Sequence, residues 1–443
     1  MKIIDGFHKA KPLLTRGVPF EFSPPSPQPA DRISKEDLPP EQIVRYIIDD
    51  VRDKGDKALF SYTKQLDGVE LTSLEVTRSE ILAAYEKVNA NLVSALRLAA
   101  NRIDRFHTTC KQQSETAFLS NGLGRQVHPL DKVGIYVPGG TAAYPSTVLM
   151  TAIPARVAEV KEIIIATPPQ KDGTIPAPTL VAADIAKVNR LFKIGGAQAI
   201  AALAFGTESV PKVDKICGPG NVFVVTAKKM TYGIVDIDGL QGPSEIVLVA
   251  DDTASASFCA ADLIAQAEHD PLASAILITT SPDLASDVDN EIKTQLSRLE
   301  RQAIATEVIN SRSMIILVRS LDEAIELVNL YAPEHLSLMV HNASAYIQKI
   351  RNAGCIFIGD SSPVAMGDYI AGPSHVLPTG GSARFSSPLG IEDFLKVTNI
   401  IALDETQEKE LGQAAITIAE AEGLKGHAQA IKIRLQATGE ELK

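Results

Sequence analysis

Apolar positions recur in two periods along this chain, and the change between them divides it. From Pro40 the period is helical. Ile43, Ile47, Ile48 and Val51 share one stripe, and Gly55 ends it. Ser79 stands where it can cap a further amphipathic helix bearing Leu82, Tyr85 and Val88. Leu92, Leu96 and Leu98 carry helical character on towards His107. Helices of this kind pack on a sheet, and the expected partner is the second of the two sheets below. At about residue 133 the period shortens. Val133-Gly-Ile-Tyr136-Val137 reads as a buried strand running into Pro138-Gly139-Gly140. Strand, turn and helix then alternate: strands at 162–166, 191–194 and 215–217, helices at 180–188, from Gly196 through Phe205, and around Lys228 and Lys229. A second series opens at Gly242-Pro243-Ser244-Glu245. It has strands at 245–250, 274–279, 313–318 and 354–359, helices at 251–269 and 322–330, and a charged helical connection over 283–307.

This βαβ rhythm predicts an α/β fold with two Rossmann-like open-sheet domains. Neither carries the Gly-x-Gly-x-x-Gly dinucleotide fingerprint. The expected division is an N-terminal arm over 1–31, a discontinuous α/β domain over 32–135 and 243–389, an α/β domain over 136–242, and a C-terminal segment over 390–443. The arm is expected to start as a short helix and run into Pro19-Phe-Glu-Phe-Ser-Pro-Pro-Ser-Pro-Gln-Pro29, whose proline density excludes helix and favours an extended chain.

Composition narrows the partners. Trp is absent and aromatics make up 5% of the 443 residues, so Ala, Ile, Leu and Val must fill the cores. A net charge of −11 argues against a nucleic-acid partner, which needs a concentrated positive surface. No apolar run reaches membrane-spanning length and the first residues lack a signal-peptide core, so no membrane partner and a cytoplasmic location are expected. Cys110, Cys217, Cys259 and Cys355 are widely spaced and include no Cys-x-x-Cys pair. They read as reduced thiols, neither bridged nor holding zinc.

Four places carry candidate chemistry. Gln266 and His269 are three apart at a helix end stopped by Pro271, so they share a side, as metal donors or as an ordinary polar helix tip. Glu334-His335 sets a carboxylate beside an imidazole just after a helix, on backbone read as irregular, which suits acid–base work. The Gly- and Pro-rich loop from Gly367 to Gly381 holds Asp368 and His375. Glu422 and His427 flank Gly423 near the C-terminus, where a plain helix end is the bland alternative. Gln266, His269, Asp368 and His427 make a mixed N/O donor set suited to zinc. The glycine turns fall at the carboxyl ends of strands, where open α/β sheets bind ligands, and Gln198 and Asn221 sit there as polar fingers or as helix caps.

Gly-Ile-Tyr136-Val-Pro-Gly-Gly, Gly-Gly-Ala-Gln198-Ala, Gly-Pro-Gly-Asn221, Gly-Pro-Ser244-Glu, Gln266-Ala-Glu-His269, Ala-Pro-Glu334-His335-Leu, Gly-Asp368-Tyr, His375-Val-Leu-Pro-Thr-Gly, Ala-Arg384-Phe-Ser and Glu422-Gly-Leu occur in that order. In them the chain resembles the histidinol dehydrogenase family, from about residue 43 to 430. The resemblance implies oxidation of L-histidinol to L-histidine through L-histidinaldehyde, by two NAD-linked hydride transfers. It implies zinc held by Gln266, His269, Asp368 and His427, with Glu334 and His335 as the acid–base pair. It implies NAD contacts at Tyr136, Gln198 and Asn221, within 136–242. Substrate contacts would fall to Ser244 and Glu422 together with Gln266, His269, His335, Asp368 and His427. It also implies a homodimer with shared active sites, the C-terminal helical segment supplying Glu422 and His427 to the neighbouring subunit.

Two positions depart from the family pattern: Gln241 stands where a small residue is usual, and Ser374 where Asn is frequent. The alternatives are a relative oxidising another small alcohol, such as a sulfonated diol, and a non-catalytic zinc protein. A carboxylate at Glu422 suits an ammonium group and repels a sulfonate, and loss of catalysis predicts loss of Glu334 or His335, both present. A cysteine-nucleophile mechanism needs an activated thiol, and Cys217 and Cys259 lie in largely apolar runs.

Overall fold

The computed structural model describes residues 1–16, 38–114, 117–139, 143–299 and 302–437. The chain forms two compact units, one of Met1–Lys111 with Leu130–Phe394, the other of Gln112–Pro129 with Leu395–Lys443.

The first unit holds two open, all-parallel sheets. One has five strands in the order Arg190–Lys193, Glu162–Thr167, Lys132–Tyr136, Lys215–Cys217, Asp236–Ile237. The other has six, in the order Lys2–Asp5, Met314–Leu317, Ser274–Thr279, Glu245–Ala250, His335–Met339, Cys355–Ile358. Central strands such as Glu245–Ala250 are buried along their whole length, because helices cover both faces. That is why they read as unbroken apolar runs.

Four expectations change. The arm expected over 1–31 opens with an edge strand, Lys2–Asp5, ahead of its expected short helix, which is Phe7–Leu14; the Pro19 to Pro29 stretch lies outside the described residues. The helix Pro40–Lys54 packs on Gly196–Phe205 and Val222–Thr231, so its stripe of Val44, Ile47, Ile48 and Val51 joins the core of the five-stranded sheet, not the six-stranded one. A helical period identifies the apolar face and says nothing about which sheet receives it. The helix Arg78–Lys87 starts two residues earlier than Ser79 suggests, because Thr77 forms a capping box with Glu80. The backbone at His335 is a strand, not irregular: His335 and Ser337 alternate with leucines on a strand buried throughout.

The second unit pairs Leu395–Ile401, Leu123–Pro129 and Phe118–Ser120 in an antiparallel sheet. Two helices follow, Glu405–Ala421 and Lys425–Ala437, closing a small core of Ile416, Ala419, Ala428 and Leu435. The sequence reading expects only helix here and misses the sheet. No helix among the described residues is long and apolar enough to cross a membrane.

Candidate active site

The strand Glu245–Ala250 begins the site, because both peptide groups of its first residue face the Glu334–His335 pair. The Glu245 N–H donates to Glu334 Oε2 at 2.8 Å, and the Glu245 carbonyl lies 3.1 Å from His335 Nδ1. With Nδ1 as the donor, His335 is left with Nε2 on its far side, 3.7 Å from Asp368 Oδ1. Glu334 Oε2 and His335 Nδ1 are 3.6 Å apart. The helix Leu321–Tyr331 delivers this pair, and Ala332 ends the helix at φ +53. A non-glycine residue there costs about 1–2 kcal/mol, a conformation that packing must hold.

Burial governs the electrostatics. It raises the Glu334 carboxyl above the usual range, against the pull of the neighbouring imidazole. Burial works against the His335 imidazolium, but Glu334 and Asp368 outweigh it and raise its pKa. Asp368 shows the same contest: burial would raise it, and His335, His375 and His269 together hold it low. Of these, His335 is the imidazole that lies beside the carboxylate, at 3.7 Å.

Asp368 lies near the end of the short helix Val364–Tyr369. Its carbonyl lies 2.8 Å from His375 Nδ1. Asp368, His375 and His335 line a cleft of about 410 Å³, with Arg102 and Cys355 at its wall. Arg102 holds the loop by donating to the Ile370 and Ala371 carbonyls. Ser374, one of the two departures, is buried and donates from Oγ to the Met150 carbonyl at 3.0 Å, tying the loop to the helix Pro145–Val157. Gln266 is buried in the helix Ala256–Ala267, and His269 lies exposed just past its end. Ser244 is half-buried, immediately before Glu245. Glu422 caps the helix Glu405–Ala421 and His427 lies in Lys425–Ala437, both in the second unit.

The glycine turns of the five-stranded sheet hold the other three residues. Tyr136 is buried, its hydroxyl accepts the Gly196 N–H at 3.1 Å, and burial pushes its phenol up to about 12. Gln198 is buried, and its Oε1 has no partner among the described residues. Asn221 caps the helix Val222–Thr231, accepting from the Phe223 and Val224 N–H groups at 3.1 Å each. The capping alternative therefore holds for Asn221. The Gly218 turn beside it is clamped from behind. Buried Lys228 donates to the Gly218 carbonyl, to Asp238 and to Gln241, and Asp238 accepts the Gly218 N–H. Gln241, the other departure, is thus a third acceptor for this ammonium. Sequence reading assigns no role to Glu245, Lys228 or Arg16, none of which carries a local signal; Glu245 is named only as the start of a strand and Lys228 only as part of a helix.

A sequence profile of histidinol dehydrogenases matches residues 31–435. The chain belongs to the histidinol dehydrogenase family. It is 52% identical over 437 residues to the histidinol dehydrogenase of Dehalococcoides mccartyi strain CBDB1, covering 98% of this chain and 100% of that one. It is 52% identical over 408 residues to that of Clostridium acetobutylicum, covering 92% and 95%. The crystal structure of the Elizabethkingia anophelis histidinol dehydrogenase superposes with a TM-score of 0.91 at 35% identity, covering 99% of each chain. Membership of the histidinol dehydrogenase family makes this chain an oxidoreductase.

Two groups that such an enzyme implies can be tested against the residues present. For zinc, Gln266, His269 and Asp368 offer an amide oxygen, an imidazole and a carboxylate held ionised by burial-defying imidazoles. Among the described residues no three His, Cys, Asp or Glu side chains form a ready metal cluster. The first unit supplies only two residues of those types to the expected set, the third being an amide. The donor types fit. For NAD, the unpartnered Gln198 Oε1 is a buried acceptor that a ligand hydroxyl would satisfy, so the glycine turns fit as well. A thiol mechanism does not fit: burial raises the pKa of all four cysteines, pushing Cys355 at the cleft wall up to about 11.

Proposed function

We propose that this chain oxidises L-histidinol to L-histidine through L-histidinaldehyde, with Glu334 and His335 as the acid–base pair. The observation that carries the reading is the buried Glu334–His335 pair, aligned by one residue's peptide groups, with His335 opening on the cleft that holds Asp368 and His375. In its neutral form, which gains ground as pH rises towards its raised pKa, His335, pinned through Nδ1, takes the alcohol proton at Nε2 in the first oxidation. Glu334 draws the proton from the water that adds to the aldehyde. Gln266, His269 and Asp368, with His427, hold zinc, which orients the amine and imidazole of the substrate when bound. Tyr136, Gln198 and Asn221 hold NAD, which accepts the hydride when bound. Ser244 and Glu422 complete the substrate contacts.

The five-stranded sheet is the cofactor half in this reading, and the six-stranded sheet carries zinc and substrate. Glu422 and His427 serve the site of a second copy. Exposed Leu123, Val397, Ile401 and Ile418 on the second unit supply apolar surface for that dimer. Four unpaired thiols accord with a reducing cytoplasm.

The test is NADH formation with L-histidinol as sole substrate. Two NADH should form per histidinol, and dialysis against a chelator should lower the rate on the order of tenfold or more, with zinc restoring it. NADH from a sulfonated diol and none from histidinol would refute the assignment. His427→Asn should lose zinc on dialysis by roughly the tenfold to hundredfold fall in affinity expected when a site is left incomplete. Full zinc content after dialysis would remove His427 from the set.

A further inference from the structure

We propose that Arg16 is a positioning residue for the Glu334–His335 pair, acting through Glu245. This rests on the reading of that pair as the acid–base pair. Arg16 lies just past the helix Phe7–Leu14, 229 residues from its partner. Its Nη2 donates to Glu245 Oε1 at 2.7 Å, with both side chains largely buried. Its guanidinium lies 3.9 Å over the Tyr331 ring. The Tyr331 hydroxyl is in turn 2.7 Å from Ser274 Oγ, at the head of the neighbouring strand. Arg16 Cδ packs against Gly381, where a Cβ would meet it at 2.9 Å, and the φ of +85 there is one that glycine adopts without strain. Arg16 is therefore fixed by an ion pair, by stacking and by a close backbone approach.

Glu245 passes that fixity on. Its N–H aims the Glu334 carboxylate and its carbonyl selects the His335 tautomer. A one-residue strut thus ties the extreme N-terminal segment to both reacting side chains. Without Arg16, Glu245, whose carboxyl burial already raises, loses its ionic partner beside a second buried carboxylate, so its side chain must either take a proton or repel Glu334. The first turn of the strand Glu245–Ala250 would shift to relieve this. A displacement of about 1 Å in a catalytic pair is enough for a loss on the order of 10²-fold. Lysine cannot replace the strut fully, since it keeps the charge and loses the planar fork and the stacking face.

The test compares full-length, zinc-loaded Arg16→Met, Arg16→Lys, Glu334→Gln and parent enzyme, measuring kcat and KM for histidinol and for NAD. Arg16→Met should lower kcat by about tenfold to a hundredfold with KM for NAD unchanged, and Arg16→Lys should recover part of the loss. Where Arg16→Met fails to fold, Arg16→Met/Glu245→Gln leaves no unpaired buried charge and should fold with a smaller loss of kcat, about threefold to tenfold, because the contacts that fix the strand are gone but the repulsion is gone too. The proposal is overturned if the folded variant keeps the parent's kcat, or if its loss lies in KM for NAD. Activity surviving in Glu334→Gln would instead overturn the acid–base assignment, so the two failures are distinct.

Discussion

Glu334→Gln is expected to lower the rate of aldehyde oxidation by about 10²–10⁴-fold, the range that a positioned proton-transfer group contributes. Alcohol oxidation should suffer less, because His335 keeps its own hold on the Glu245 carbonyl. The aldehyde would then accumulate, and NADH yield would fall from two towards one per histidinol. The variant should not be unstable. A glutamine oxygen can still accept the Glu245 N–H that Glu334 Oε2 accepts at 2.8 Å. Burial raises the Glu334 pKa, so at neutral pH the ionised carboxylate is a cost to the fold, present above its unfolded pKa, that an amide does not incur. The measurements are single-turnover oxidation of histidinol and of histidinaldehyde, with thermal melting alongside. A variant that melts with the parent and converts the aldehyde at the parent's rate would remove Glu334 from the chemistry.

That pair was legible from residues alone as a carboxylate next to an imidazole, and the family pattern supplied its partners. What could not be read was its support. Glu245 acts through peptide groups, which carry no sequence signal, and Arg16 meets it from 229 residues away. The parallel strands were legible because 162–166 and 245–250 are continuous apolar runs buried on both faces. The strand at His335–Met339 was not, because a histidine and a serine interrupt its apolar run. The strands Leu123–Pro129 and Leu395–Ile401 were missed for another reason: neither has a buried face to produce a period. Asn221 caps a helix, and the resemblance alone makes it a cofactor contact; Gln198, with its buried orphan oxygen, is the one of the three whose geometry still asks for a ligand.

Lys228→Met is expected to destabilise the part of the chain built on the five-stranded sheet by about 3–5 kcal/mol, the usual result of removing one partner from a buried ion pair. Lys228 and Asp238 have side chains with 0% and 1% exposure, so no water can replace the lost ammonium. The loss reaches further than the pair. Asp238 Oδ2 holds the Gly218 N–H at 2.7 Å while Lys228 holds its carbonyl at 3.0 Å, fixing both peptide groups of a glycine at φ +108. Gly218 begins the turn that ends in Asn221, so a slack clamp loosens the proposed NAD contact. Gln241→Ala, which restores the small residue usual in the family, removes one neutral acceptor at 3.0 Å from the same ammonium and should cost only about 1 kcal/mol. Lys228→Met/Asp238→Leu separates the two effects, because replacing both charges by apolar groups is often neutral or better. It should recover most of the melting temperature and leave NAD binding weak, since Gly218 still lacks both its holders. Urea unfolding and NADH titration measure the two quantities. Lys228→Met unfolding with the parent would show that the ion pair carries no weight, and a double variant that binds NADH normally would show that the turn needs no clamp.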